Sequence, residues 1–96
     1  MMTKIFNQSL FDLPQGAKAI VVGLHINEDD TQNHELLLRL LEIGFIEGEE
    51  VTVIAHSRFA AQPVAVRIGG ATFALRAFEA QCILVNPLQK DGEYAS

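Results

Sequence analysis

The sequence predicts an all-β fold with one inserted helix: a small five-stranded barrel whose helix follows the first strand. Three observations predict it. Apolar residues recur with period two through most of the middle of the chain, turn signals separate those runs, and the period becomes helical only once. Closing the sheet removes the unpaired edges that an open five-stranded sheet would expose.

The first strand covers residues 18–26 and is introduced by the turn signal Pro14-Gln15-Gly16. Ile20, Val22, Leu24 and Ile26 fall on one face, the expected core face, with Ala19, Val21, Gly23 and His25 on the other. The polar stretch 27–33 is read as a loop. At steps of about 100° per residue, Leu36, Leu37, Leu40, Leu41 and Ile43 share one arc, while Glu35, Arg39 and Glu42 lie outside it. This is an amphipathic helix over residues 34–43. Thr31 or Asn33 suits its N-cap, and Asp29, Asp30 and Glu35 suit the positive end of its dipole. Gly44 suits a left-handed residue just past the end, with Phe45 folding back on Leu40 in a Schellman motif.

Strand periodicity resumes over residues 50–56 after a turn at Gly48, with Val51, Val53 and Ala55 on one face. Beyond a loop and Pro63, Val64, Val66 and Ile68 alternate with Ala65, Arg67 and Gly69. Gly69-Gly70 is a two-residue hairpin signal, because both central positions of a type I′ turn need positive φ. The return strand puts Phe73 and Leu75 on one face, residues 77–80 make a short turn, and residues 81–85 form the last strand. Residues 1–9 and 87–96 are expected to be flexible ends around a domain of residues 10–86. From period and turns alone, an SH3-like and an OB-like barrel both remain open.

At 96 residues, 49% hydrophobic and 20% charged, the chain can build one core and is not a disordered or low-complexity sequence. Its net charge of −5 has the wrong sign for wrapping a phosphate backbone, so no nucleic-acid partner is expected. A single cysteine, Cys82, excludes an internal disulfide framework and is read as a small buried hydrophobe. The apolar run 19–24 falls far short of the ~20 residues of a spanning helix, and residues 1–13 lack a signal-peptide pattern. The chain is therefore expected in the cytoplasm without direct membrane insertion, recruited to the inner face of the membrane by a partner.

The run Leu40-Leu41-Glu42-Ile43-Gly44-Phe45-Ile46-Glu47-Gly48-Glu49-Glu50-Val51 resembles the ferrous iron transport protein A (FeoA) family. That family's motif passes from a leucine-rich helix through Leu-Gly-Phe, one residue, Pro-Gly, two residues and Val. The resemblance continues in Leu13-Pro14-x-Gly16-x-x-Ala19, in Pro63, in Arg67-Ile68-Gly69-Gly70 with Ala74-Leu75-Arg76, and in Glu79-Ala80 before Ile83-Leu84-Val85. Ile43 stands where the family usually has Leu, Glu47 where it has Pro, and the loop at residues 57–62 departs from the family's pattern. The resemblance implies an SH3-like barrel without enzymatic activity. It also implies an accessory role in bacterial ferrous iron uptake, on the cytoplasmic, GTP-binding portion of the membrane transporter FeoB. An SH3-like regulatory or nucleic-acid-binding module and an Fe(II)-binding delivery protein are the alternatives.

The residues themselves offer no catalytic machinery and no cofactor motif: G-x-S-x-G, a Walker loop and paired cysteines are all missing. His25, Glu28, Asp29, Asp30 and His34 combine imidazole and carboxylate in the way Fe(II) ligands do. A solvated acidic loop between a strand end and a helix start accounts for the same residues, so no metal site is assigned. Surface recognition is what remains, by shape complementarity or by strand addition at a partly open edge. Leu38 breaks the helix pattern by lying on the side of Glu35 and Glu42, and Phe59 has no core slot in its loop. With Arg58 beside Phe59 and Arg76 after Leu75, these four are the candidate partner contacts.

Overall fold

Alternating β-branched residues build most of the structure, a computed structural model that describes residues 8–26, 31–56 and 62–88. Six strands are formed: β1 (Gln8–Ser9), β2 (Lys18–Leu24), β3 (Glu50–Ala55), β4 (Val64–Ile68), β5 (Ala71–Leu75) and β6 (Ile83–Leu88). They make one antiparallel sheet in the order β1-β6-β2-β3-β4-β5. Helix α1 (Thr31–Ile43) follows β2, helix α2 (Ala77–Gln81) follows β5, and a 3₁₀ turn (Leu10–Asp12) follows β1. Strands β1 and β5 end the sheet, and the short helical segments adjoining them, the 3₁₀ turn and α2, pack on each other. Among the described residues no helix is long and apolar enough to cross a membrane.

The mostly-β class with one main helix agrees with the sequence reading; the strand count does not. The sixth strand is β1, whose Gln8 and Ser9 pair with Val85 and Leu84. Two residues carry no alternation, so period analysis passes over them, and the long helix follows the second strand instead of the first. Leu10, just beyond, is wholly buried in the core. At the other end Pro87 and Leu88 continue β6 by pairing with Ala19 and Lys18.

In β2 the expected core face is half wrong, for a local reason. Ala19 and Val21 are the buried residues, while Ile20 and Val22 are only half-buried. Val21 pairs with Val85 and Gly23 with Leu84, so Val22 is an extra residue, a β-bulge. Past it the alternation inverts, and Leu24 and Ile26 pack on the core as anticipated. A second irregularity between Val53 and Ala55 of β3 leaves Ala55 exposed, although Val51 and Val53 are buried as expected.

Helix α1 starts three residues earlier than the periodicity suggests, so Thr31 and Asn33 lie within it and neither is its N-cap. Leu40 is buried, and Leu36 and Ile43 pack against the core. Leu41 is 40% exposed, so the apolar arc is narrower than its sequence suggests. The end is a Schellman motif. The Phe45 N–H donates to the Leu40 carbonyl (3.1 Å) and the Gly44 N–H to the Leu41 carbonyl (3.1 Å), with Gly44 at φ 124°. Phe45 and Leu40 are both buried in the core cluster.

The chain then turns tightly: the Glu49 N–H donates to the Ile46 carbonyl (3.0 Å), and Gly48, at φ 97°, takes the third position. Glu47 holds the second, where proline presets φ. Among the described residues nothing accepts from its N–H. Glu47→Pro is therefore expected to raise the unfolding free energy by about 0.4–1 kcal/mol through the unfolded chain. Urea denaturation checks it, and a loss of stability would show that the turn is of another type. The Gly69-Gly70 hairpin is as expected, with φ 61° and 84° and Ile68 paired to Ala71 across it.

Candidate partner-binding surface

The candidate surface lies where α2 meets α1, at a cleft that exposed Phe78 borders together with arginine and glutamate side chains. Residue Arg76 is extended (φ −73°, ψ 161°) and is the N-cap of α2. Three residues on, at the N3 position, Glu79 turns its Oε1 back to accept the Arg76 N–H at 2.8 Å, the carboxylate half of a capping box. Its other oxygen, Oε2, accepts from Arg39 Nη1 of α1 at 2.7 Å. Glu79 is 4% exposed, so both lone-pair directions that matter are satisfied by protein rather than water. One carboxylate thus ties α1 to the start of α2.

Above this tie is an open cleft of about 430 Å³, with Glu35, Leu36, Arg39, Arg76 and Phe78 among its walls. Phe78 is 52% exposed and is the large apolar side chain on the rim of this cleft. Cys82 Sγ donates to the Phe78 carbonyl at 3.2 Å. Burial and the neighbouring Glu79 charge push this thiol above its ordinary pKa, which favours the protonated form. Cys82 is only half-buried, not the buried hydrophobe its sequence context suggested, because it lies at the junction of α2 and β6.

Of the four contacts expected from sequence, Arg76 is exposed and borders the cleft. Leu38 is 49% exposed on the outward side of α1, next in sequence to Arg39 but not a wall of the cleft. Arg58 and Phe59 lie outside the described residues. Sequence reasoning missed Phe78 and Glu79 as parts of this surface. The spacing Arg76-x-x-Glu79 before a short apolar run was the available signal, since glutamate at N3 marks a capped helix start.

Among the described residues the histidines join no metal set. His25 and His34 are exposed, and Glu28, Asp29 and Asp30 lie outside the described residues. Among the described residues no three His, Cys, Asp or Glu side chains come together to hold an ion. His56 is held at one nitrogen: its Nδ1–H donates to the Leu13 carbonyl at 3.1 Å, its ring lies 4.8 Å from that of Phe11, and its buried Nε2 has no partner among the described residues.

Comparison with known proteins gives this geometry a family. A crystal structure of Stenotrophomonas maltophilia FeoA complexed with zinc is 32% identical with a TM-score of 0.71, over 82% of this chain and 89% of that one. That protein is an SH3 domain protein for which a role as a ferrous iron transport activating factor has been suggested. A FeoA-like protein from Clostridium acetobutylicum is 26% identical with a TM-score of 0.71, over 93% of both chains. A manganese-dependent transcriptional repressor shares the fold at 23% identity and a TM-score of 0.72, over 92% of this chain but 45% of its own. No curated protein sequence matches the chain. The FeoA domain model matches residues 8–87, and the chain belongs to that family, the non-enzymatic accessory proteins of ferrous iron transport.

Proposed function

We propose that this protein acts in the cytoplasm by docking on the cytoplasmic portion of a FeoB-type membrane GTPase transporter, which it regulates or helps to assemble. The observation that carries the proposal is the cleft between α1 and α2, with half-exposed Phe78 and exposed Arg76 on its border. Aromatic and arginine side chains around a concavity are the usual anchors of a protein interface. The sheet is read as a partly open SH3-like barrel, with α2 and the 3₁₀ turn packed together between its terminal strands. To regulate, the protein must bind one state of the transporter better than another, since equal affinity for both shifts nothing.

Titration of the full chain into the transporter's purified cytoplasmic portion tests this. Phe78→Asp, Leu38→Asp and Phe59→Ala are compared with the wild-type chain, after melts confirm that each folds. Phe78→Asp is expected to weaken binding by at least about tenfold, the effect of a hot-spot residue. Full affinity in all three variants would move the docking site elsewhere, and a wild-type chain that does not bind would overturn the proposal.

A further inference from the structure

Among the described residues, strand β5 carries one free edge. Its pairing with β4 closes on a two-residue hairpin, so Ala71, Phe73 and Leu75 exchange hydrogen bonds with Ile68, Val66 and Val64. Thr72 and Ala74 therefore turn their N–H and C=O groups away from β4, towards the side where β5 has no neighbouring strand. Neither residue has any further hydrogen-bond partner among the described residues. Their side chains are small, uncharged and exposed. Sheets ordinarily guard such an edge with lysine, proline or a bulge inside the strand. Here the strand holds none of these.

Charge says what would lie there. Arg67 stands opposite Thr72 on the outward face, and Arg76 follows two residues after Ala74 in extended backbone. Neither guanidinium has an ion-pair or hydrogen-bond partner among the described residues. Residues 62–76 contain these two arginines and no carboxylate, in a chain whose net charge is −5. Self-pairing fits poorly. Two copies of β5 laid antiparallel about Phe73 would bring four arginines onto one face with no carboxylate from residues 62–76, adding like-charge repulsion to the contact.

We propose that the β5 edge accepts an acidic extended segment of a partner protein by strand addition, with Thr72 and Ala74 supplying the main-chain bonds and Arg67 and Arg76 the charge recognition. The segment would continue past Arg76 to the cleft, where an apolar side chain can cover Phe78. Main-chain pairing then provides affinity, while the arginines and the cleft provide selectivity. The inference rests on the docking role proposed above and assigns the surface that performs it.

Hydrogen exchange on the full chain, alone and with the transporter's cytoplasmic portion, tests it together with Ala74→Pro. Proline there removes an outward donor but no bond to β4, so the variant is expected to melt with the wild type. On binding, exchange of the Thr72 and Ala74 amides should slow by at least about tenfold. Ala74→Pro should weaken binding by about tenfold, and Arg67→Glu with Arg76→Glu should do so while flattening its salt dependence. Binding that leaves both amides unprotected overturns the inference and leaves docking intact, and this readout stands even if the proline variant misfolds. No binding by the wild type removes both. A concentration-dependent dimer of the chain alone that Ala74→Pro abolishes makes a second copy the occupant, and overturns the acidic assignment.

Discussion

Truncating Phe45 to alanine is expected to lower the unfolding free energy by about 3–5 kcal/mol, a large share of the roughly 5–15 kcal/mol that holds a domain together. Phe45 is the largest of the fully buried side chains. Its removal leaves a void in a core of valines and leucines whose positions are fixed by the sheet, so the site cannot collapse around it. The same residue secures the end of α1, because its backbone N–H closes the Schellman bond to the Leu40 carbonyl and its ring joins Leu40 in the core. Urea unfolding with an unchanged m-value is the measurement. A change below about 1 kcal/mol, the size of a surface substitution or a single methylene, would mean that Phe45 is not packed as described.

Glu79→Ala is expected to cost about 2–3 kcal/mol, because it takes a charged acceptor from a capped N–H and leaves that donor without its partner. Arg39 contributes less than its 2.7 Å contact suggests, being 55% exposed and able to return to water. Arg39→Ala should therefore cost no more than about 1 kcal/mol, and Glu79→Gln, which keeps the capping acceptor, should fall between the two. Equal losses for Arg39→Ala and Glu79→Ala would reverse this division and make the ion pair the dominant interaction. The comparison also probes the cleft, since Glu79 bonds both Arg39 of α1 and the Arg76 N–H at the start of α2.

Features that depend on near neighbours in sequence were legible before the structure. The α1 stop at Gly44, the diglycine hairpin and the buried triplet of Val64, Val66 and Ile68 each follow from local backbone preference or period two. Features that depend on distant pairing were not. Strand β1 exists because Val85 and Leu84 offer it a partner, and two residues cannot announce that in advance. The start of α1 ran past Asn33 because polar residues can continue a helix once its apolar stripe is anchored. The cleft was illegible for the same reason: its tie links Arg39 to Glu79 across forty residues. Arg76 was found from sequence only as a cation beside an apolar residue, without the capping role that positions it.

The bulge in β2 has a consequence for how chains of this kind vary in length. Val21 and Leu24 both point inward because Val22 and Gly23 together occupy the space opposite a single residue, Leu84. A relative lacking one residue at that point would straighten the ladder, yet keep the same side chains inside. Loss of one residue there is silent for the interior and alters only the bend of the strand. An alignment gap at Val22 therefore records a change of curvature, not a change of architecture.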